Sequence, residues 1–369
     1  MPAFTTLIEF DVTKSLLQNQ DELKRVNHEI EKQLEELGLK TIFQDTGLHI
    51  YFTGTSSHGT IQGHSLPPRN FVTVDLTEIQ ANDKARIFDE EKLQQIEDKF
   101  KGILQCKKLK RLPPIERGGE VQKYFPTTDN KLIEYDFDAC VFEEETEYQN
   151  IKIMHSPQFG NMLILDDDPN LAESDLIYTE TITGIKEENY NEKEVLVLGA
   201  GDGGILHALK QANPKFITMV EIDGTVIEGA KKHLRGICHD SLDTLEGPNF
   251  KVHVDDCVVW LNKFKKEGKM FDMIINDLTA IPVTKNLVGD SWNFIKTILE
   301  LSMTVLKPTG KYYTQGNGVN MTSSLKMYES LLSSLPEPVD FAKKAVFVPS
   351  YHEKWVFYKI WKTGHENGK

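Results

Sequence analysis

The chain has 369 residues, with 39% hydrophobic and 27% charged residues and a formal net charge of −14. Those are the proportions of a globular protein with room for two or three domains, and the acidic balance disfavours nucleic acid and favours cationic ligands. Cys106, Cys140, Cys238 and Cys257 are scattered with no C-x-x-C pair, which argues against a disulfide framework or a zinc site and fits a reducing, cytoplasmic setting.

The opening MPAFTTLIEFDVTK has neither the basic nor the apolar region of a signal peptide, and no apolar run is long enough to span a membrane. Residues 1–110 read as a small α/β domain. Strands are expected at Thr6–Val12, Thr41–Phe43, Leu48–Phe52 and Phe71–Leu76, and helices at Asp21–Leu37, closed by Gly38, and Glu90–Leu104. Between them, TGTSSHGTIQGHSLPP (Thr53–Pro68) reads as a solvated polar loop, since no paired acid or helix start accompanies its Ser and His residues.

Arg111-Leu-Pro-Pro-Ile115 reads as a linker into a central domain, 111–170. Its strands, Lys131–Tyr135, Ala139–Glu143, Asn150–His155 and Met162–Leu165, suggest a small antiparallel sheet. In the third domain, 171–369, strands and helices alternate. Glu194–Leu198, Phe216–Glu221, Phe250–Val254, Phe271–Asn276 and Gly310–Gln315 are short apolar strands. Ile205–Gln211, Gly224–His233, Cys257–Lys266 and Trp292–Val305 are the helices between them. That rhythm predicts a doubly wound, Rossmann-like parallel sheet, with Lys344–Pro349 and Trp355–Trp361 as two final strands.

Ligands of such sheets bind beyond the carboxyl ends of the strands. The first strand ends in VLVLGAGDGGI (195–205), with glycines at 199, 201 and 204 in the G-x-G-x-x-G spacing of a nucleotide turn, but with Asp202 inside it. A pyrophosphate there would meet a like charge, at about 4 kcal/mol for 4 Å at an effective dielectric near 20. The next strand ends are also acidic: Glu221 with Asp223, Asp255 with Asp256, and Asp277. Glu221 follows Gly199 by 22 residues, the spacing of an acid that accepts both ribose hydroxyls. Asp256 suits adenine N6, or else caps the following helix. An adenosyl sulfonium fits this set, having no phosphate and a positive charge. Loss of its carboxylate would leave an ammonium for Asp202 to hold.

The stretches EYQNIKIMHSPQFGNMLILDDDPNLAESDLIYTE (147–180), VLVLGAGDGGIL (195–206), MVEIDGTVIE (219–228) and FDMIINDLTAIP (271–282) resemble the aminopropyltransferases, the spermidine and spermine synthases, in order and at matching separations over about 111–361. The first 110 residues fit the longer animal-type spermine synthase branch. Its N-terminal domain is similar in fold to S-adenosylmethionine decarboxylase and mediates homodimerisation. No self-cleaving serine motif is present, so that domain is expected to be structural.

The resemblance implies transfer of an aminopropyl group from decarboxylated S-adenosylmethionine to a polyamine, releasing methylthioadenosine, with no metal or other cofactor. It makes Asp277 the catalytic base and Tyr178 the residue that orients the amine. Gln149, Asp202, Glu221, Asp256 and the Cys257 backbone amide would hold the adenosyl substrate. Tyr178, Asp202, Asp277, Tyr351 and Glu353 would hold the acceptor.

Two departures from the spermidine synthase pattern, Asp-Ser-Ser-Asp-Pro after the fourth strand and His or Gln after the tyrosine, point to spermidine as that acceptor. Ala280 replaces the second acid and Thr179 follows Tyr178, while Glu353 adds a carboxylate in PSYHEKW. Three other readings share the strand-end acids: a putrescine acceptor, a methyltransferase using intact S-adenosylmethionine, and a non-catalytic adenosyl-binding scaffold.

Overall fold

Residues 1–45, 47–66, 68–80, 85–284 and 286–363 are described in the computed structural model. The chain divides into two units, Met1–Gln122 and Lys123–Lys369.

The first unit is built on an antiparallel sheet in the order Lys40–Gln44, His49–Thr53, Ser57–Leu66, Arg69–Ile79, Ala3–Asp11, Lys108–Arg111, with Ile115–Arg117 also pairing Ala3–Asp11. Helix Gln20–Glu36 begins where Asn19 accepts from the Asp21 and Glu22 amides, and helix Glu90–Ile103 where Asp89 accepts from Lys92. Leu23, Val26, Ile30 and Leu34 on one helix and Leu93, Ile96 and Phe100 on the other recur at helical spacing. They share a core with Ile8, Phe10, Phe52, Val72 and Val74 of the sheet.

Two expectations are corrected here. Most of the stretch read as a polar loop is the strand Ser57–Leu66 (Pro67 lies outside the described residues). Its inward positions are Ser57, Gly59 and Ile61. A Cβ on Gly59 would come within 2.1 Å of the Asp75 carbonyl oxygen and 2.4 Å of Phe52 Cζ, so the bare backbone makes room for the phenyl ring. The segment read as a linker instead joins two strands that both pair with Ala3–Asp11, so the first unit extends past 110 to Gln122.

The second unit contains both the central strands and the large sheet. Tyr124–Pro126 pairs with Leu132–Glu134, and Ala139–Glu145, Asn150–Ser156, Gly160–Leu165 and Asp168–Ala172 form an antiparallel meander. Ile151, Ile153 and Leu163 of that meander share one core with Val226, Ile227 and Ala230 of the helix Gly224–His233, so the meander and the large sheet lie in one compact unit.

The eight-stranded sheet runs Glu246–Gly247, Phe250–Val254, Phe216–Glu221, Glu194–Gly199, Phe271–Asp277, Leu306–Gly318, Glu353–Lys362, Val339–Val348. Phe250–Val254 through Leu306–Gly318 are parallel, and the last two strands are antiparallel additions. Val195 and Val197 face one core and Leu196 and Leu198 the other, all fully buried. This two-sided burial is the reason the strand reads as an unbroken apolar run. Each such side chain contributes about 1.5–3 kcal/mol. Among the described residues no helix is long and apolar enough to cross a membrane.

Candidate active site

Strand order reverses at Glu194–Gly199, whose neighbours are Phe216–Glu221 on one side and Phe271–Asp277 on the other. Beyond its carboxyl end the chain enters the glycine turn. Gly199 has φ +79°, and a Cβ there would lie 2.4 Å from the Asp277 carbonyl oxygen. Glycine supplies both the left-handed backbone and the close approach, so the ends of the first and fourth strands meet.

Three acids gather at this point. Asp202 is buried in the turn, its Oδ1 accepting the Gly204 amide at 2.8 Å. Burial raises its pKa. Glu221 is buried at the end of the second strand, where Oε1 accepts the Asp223 amide at 2.9 Å. Burial, reinforced by the charges of Asp202 and Asp223 and opposed by backbone hydrogen bonds, pushes it up to about 7. Asp277 is likewise pushed up to about 7, first by burial and then by the Asp202 charge, with Glu221 adding and the Tyr178 hydrogen bond opposing. Among the described residues none of the three takes part in an ion pair. Like charges in a protein interior without counter-ions hold one another neutral or wait for a cation.

Tyr178 belongs to helix Leu176–Thr183, and its hydroxyl donates to Asp277 Oδ1 at 2.5 Å. Burial and the Asp277 charge hold the phenol well above its ordinary pKa, so it remains a donor. The helix is fixed by a buried residue that sequence reasoning missed. Asp175 accepts from the Ala172 amide at 2.8 Å, the Ser350 amide at 3.0 Å and the Ser350 hydroxyl at 2.5 Å. It thereby ties the start of the Tyr178 helix to the turn that carries Tyr351. The Tyr351 ring stands edge-on to Tyr178 at 6.3 Å, with its hydroxyl donating to the Asn170 carbonyl.

The remaining expected residues lie around this centre. Gln149 does not reach the three acids; its Nε2 donates to Asp223 Oδ2 at 3.2 Å, beside the Thr146 hydroxyl at 2.8 Å. Asp223, the other residue missed as a partner, also caps Gly224–His233 through Thr225. Asp256 is a helix cap, with Oδ1 accepting the Val258 amide at 2.7 Å. Burial pushes the Cys257 thiol up to about 12, which removes it as a nucleophile and leaves its first-turn amide as the useful group. Ala280 packs against the core that contains Tyr178. Glu353 meets Thr128, whose hydroxyl lies 3.1 Å from Oε1 and 3.4 Å from Oε2. Thus Tyr178, Asp202, Glu221, Asp277 and Tyr351 form one cluster, Asp256 and Cys257 adjoin Glu221, and Gln149 and Glu353 are held by other partners. No group of three or more His, Cys, Asp or Glu among the described residues is arranged to hold a metal ion.

Comparison with known proteins matches residues 175–368 to the family described as spermine/spermidine synthase domain, and 123–173 to the one described as spermidine synthase tetramerisation domain. A polyamine aminopropyltransferase of Yersinia pestis (strain Pestoides F) is 33% identical over 148 residues, 39% of this chain and 48% of the relative. One from Bacillus subtilis (strain 168) is 34% identical over 155 residues, 41% of this chain and 54% of the relative. One from Shigella boydii serotype 4 (strain Sb227) is 30% identical over 220 residues, 58% and 72%. The chain therefore spans about half the length of the first two. In fold it is similar to spermidine synthase from Thermotoga maritima, with a TM-score of 0.55 at 20% identity over 68% of this chain and 81% of that one. A spermidine synthase in complex with the transition state analogue AdoDATO gives the same score and identity over 68% and 83%.

Proposed function

The chain belongs to the spermine/spermidine synthase family, and from that premise we propose that it transfers an aminopropyl group from decarboxylated S-adenosylmethionine to spermidine, giving spermine and methylthioadenosine. The observation that carries this reading is the Tyr178–Asp277 hydrogen bond set beside Asp202 and Glu221, a carboxylate cluster that has no counter-ion among the described residues. A sulfonium and two ammonium groups supply the missing charge.

In the proposed step Glu221 accepts the ribose hydroxyls. The Cys257 amide and the Asp256 cap lie toward the adenine, and Gln149 lies on the nucleoside from the meander. Asp202 takes the aminopropyl ammonium. The acceptor amine has a pKa near ~10.4, so freeing its lone pair at neutral pH costs roughly 4–5 kcal/mol. Asp277 takes that proton while the Tyr178 hydroxyl orients the nitrogen. The nitrogen attacks the carbon bonded to sulfur; the new C–N bond forms, the C–S bond breaks, and its electron pair stays on sulfur. The leaving group is already activated as a sulfonium, so the step calls for neither metal nor cofactor. The protein's part is to bring together two cations that repel in water, by placing carboxylates between them.

Spermidine as acceptor rests on two residues. Ala280 lacks the acid that would pair with a short diamine and leaves room, and Glu353 offers a carboxylate farther along. Putrescine is the second reading, because the solved proteins of similar fold are named spermidine synthases. We further propose that the first unit is structural, resembles S-adenosylmethionine decarboxylase in fold, and joins two copies into a homodimer in the cytoplasm.

The test supplies decarboxylated S-adenosylmethionine with spermidine or putrescine, identifies both products, and compares kcat/KM in the wild type and in Glu353→Gln. Spermine and methylthioadenosine with a preference for spermidine, weakened in Glu353→Gln, are expected. Equal use of both amines overturns the acceptor. Release of adenosylhomocysteine from intact S-adenosylmethionine overturns the reaction.

A further inference from the structure

Glu353, a proposed acceptor ligand at the start of the strand Glu353–Lys362, is held from outside the large sheet by Thr128. Tyr124–Pro126 and Leu132–Glu134 form a hairpin whose turn is fixed internally: the Thr127 amide bonds the Lys131 carbonyl at 2.7 Å, and the Thr127 hydroxyl donates to Asp129 Oδ1 at 2.7 Å. Asp129 Oδ2 is taken by Lys131 Nζ at 2.6 Å and by Asn320 Nδ2 at 3.1 Å, which holds Asp129 down to about 2. The only cation of that turn is thus engaged by Asp129, and among the described residues Glu353 has no ion pair. Its partner is the Thr128 hydroxyl, at 3.1 and 3.4 Å from the two carboxylate oxygens. Opposite, Gly318 leaves the space the carboxylate fills. A Cβ there would lie 2.3 Å from Glu353 Oε2 and 2.9 Å from Thr128 Oγ1.

Position along the strand gives this contact a meaning. Phe357 touches Tyr178 with ring centroids 5.1 Å apart, and Trp355 touches Tyr351 at 4.9 Å. Both belong to the core on the Tyr178 side, while Val356 and Tyr358 belong to the other. By the same alternation Glu353 lies on the Tyr178 face, four residues or about 13 Å from Phe357. Five bonds separate the nitrogens of a four-carbon diamine, at most about 6 Å, whereas the nine bonds of spermidine reach about 11 Å, so only the longer amine comes near a carboxylate that extends from that strand position toward the site.

We infer that Thr128 is a positioning residue for acceptor length: by holding the Glu353 carboxylate, the hairpin turn sets how far from the reacting amine a second ammonium must lie. The inference rests on the aminopropyl-transfer reading above. It is tested with full-length Thr128→Val, Thr128→Ser and Gly318→Ala, measuring kcat and KM separately for spermidine and putrescine. Loss of a hydrogen bond to a charged group is expected to raise KM for spermidine ~10-fold in Thr128→Val, with kcat little changed. Thr128→Ser restores the wild-type KM. Gly318→Ala reproduces the Thr128→Val effect, because its methyl displaces the carboxylate and crowds the Thr128 hydroxyl that holds it. The putrescine constants stay unchanged throughout. A wild type that prefers spermidine, combined with a Thr128→Val that leaves its KM unchanged or lowers kcat equally for both amines, overturns the role of Thr128 alone. A wild type that does not prefer spermidine overturns the acceptor assignment and this inference with it.

Discussion

The Tyr178 hydroxyl donates to Asp277 Oδ1 at 2.5 Å, across 99 residues of sequence. The bond aims one carboxylate oxygen and favours its charged form, opposing the burial that disfavours it. Tyr178→Phe should lower kcat/KM ~10- to 150-fold, the equivalent of one charge-assisted hydrogen bond. It should also move the ascending limb of the pH profile upward, because the contact that lowers the Asp277 pKa is gone. A pH series of initial rates checks both.

Asp277→Asn keeps an acceptor for the Tyr178 hydroxyl and removes a charge that burial penalises. Turnover should fall at least ~10²-fold, as for loss of a general base, while the melting temperature holds or rises. A variant with turnover close to wild type would remove Asp277 from the base role.

Asp202→Asn should shift the pH profile the other way. Asp277 is pushed up to about 7, with the Asp202 charge second only to burial among the causes. The base form of the free protein therefore accumulates as pH rises through about 7, and kcat/KM rises with it. Without the Asp202 charge the limb moves to lower pH, even as affinity for the aminopropyl substrate falls. Rates at subsaturating substrate between pH 5.5 and 8.5 (a range of roughly three units) measure the displacement.

In the ligand-free protein the contribution of Glu221 and Asp277 to stability should fall as pH rises from about 4 to about 7. The native pKa values of Glu221 and Asp277, about 7, exceed the ordinary 4.5 and 3.8. The folded state therefore binds more protons than the unfolded one between those limits, and their destabilising effect grows from about pH 4 to about pH 7. Thermal melts across that window should show a shallower decline in Glu221→Gln and Asp277→Asn than in the wild type.

Gly59→Ala tests the strand that looked like a loop. Its new methyl would meet the Asp75 backbone oxygen and the Phe52 ring, neither of which can swing aside. Overpacking of this kind costs typically 1–3 kcal/mol, readable as a lower denaturation midpoint for the first unit.

The parallel strands were legible because both faces are buried, and their acidic ends because the sheet places each strand's carboxyl end at the same edge. The strand Ser57–Leu66 was not, since its inward positions include Ser57 and Gly59, the latter kept bare by the Phe52 ring, and this erases the apolar alternation. Helix Leu176–Thr183 was missed for the opposite reason. Tyr178, Thr179, Thr181, Ile182 and Thr183 are all buried, so no polar face marks the helical period. The meeting of Tyr178 with Asp277, and of Thr128 with Glu353 225 residues away, is long-range geometry that no local pattern encodes. The resemblance supplied Tyr178 and Asp277, and a departure from the spermidine synthase pattern supplied Glu353, but neither gave the Thr128 and Asp175 contacts that hold the site's loops. Asp256, read both as adenine ligand and as helix cap, makes the cap.

The carboxylates of Asp202, Glu221 and Asp277 also bear on what leaves the site. In the proposed reaction the sulfonium becomes a neutral thioether, so the attraction that drew in the adenosyl substrate ends with the chemical step. Methylthioadenosine is then retained only by shape and by contacts to its ribose and base, and its departure should be nearly indifferent to ionic strength. The polyamine leaves one amine richer and still faces every one of those acids. Its release is the step that added salt should accelerate, and accumulated polyamine should inhibit most at low salt.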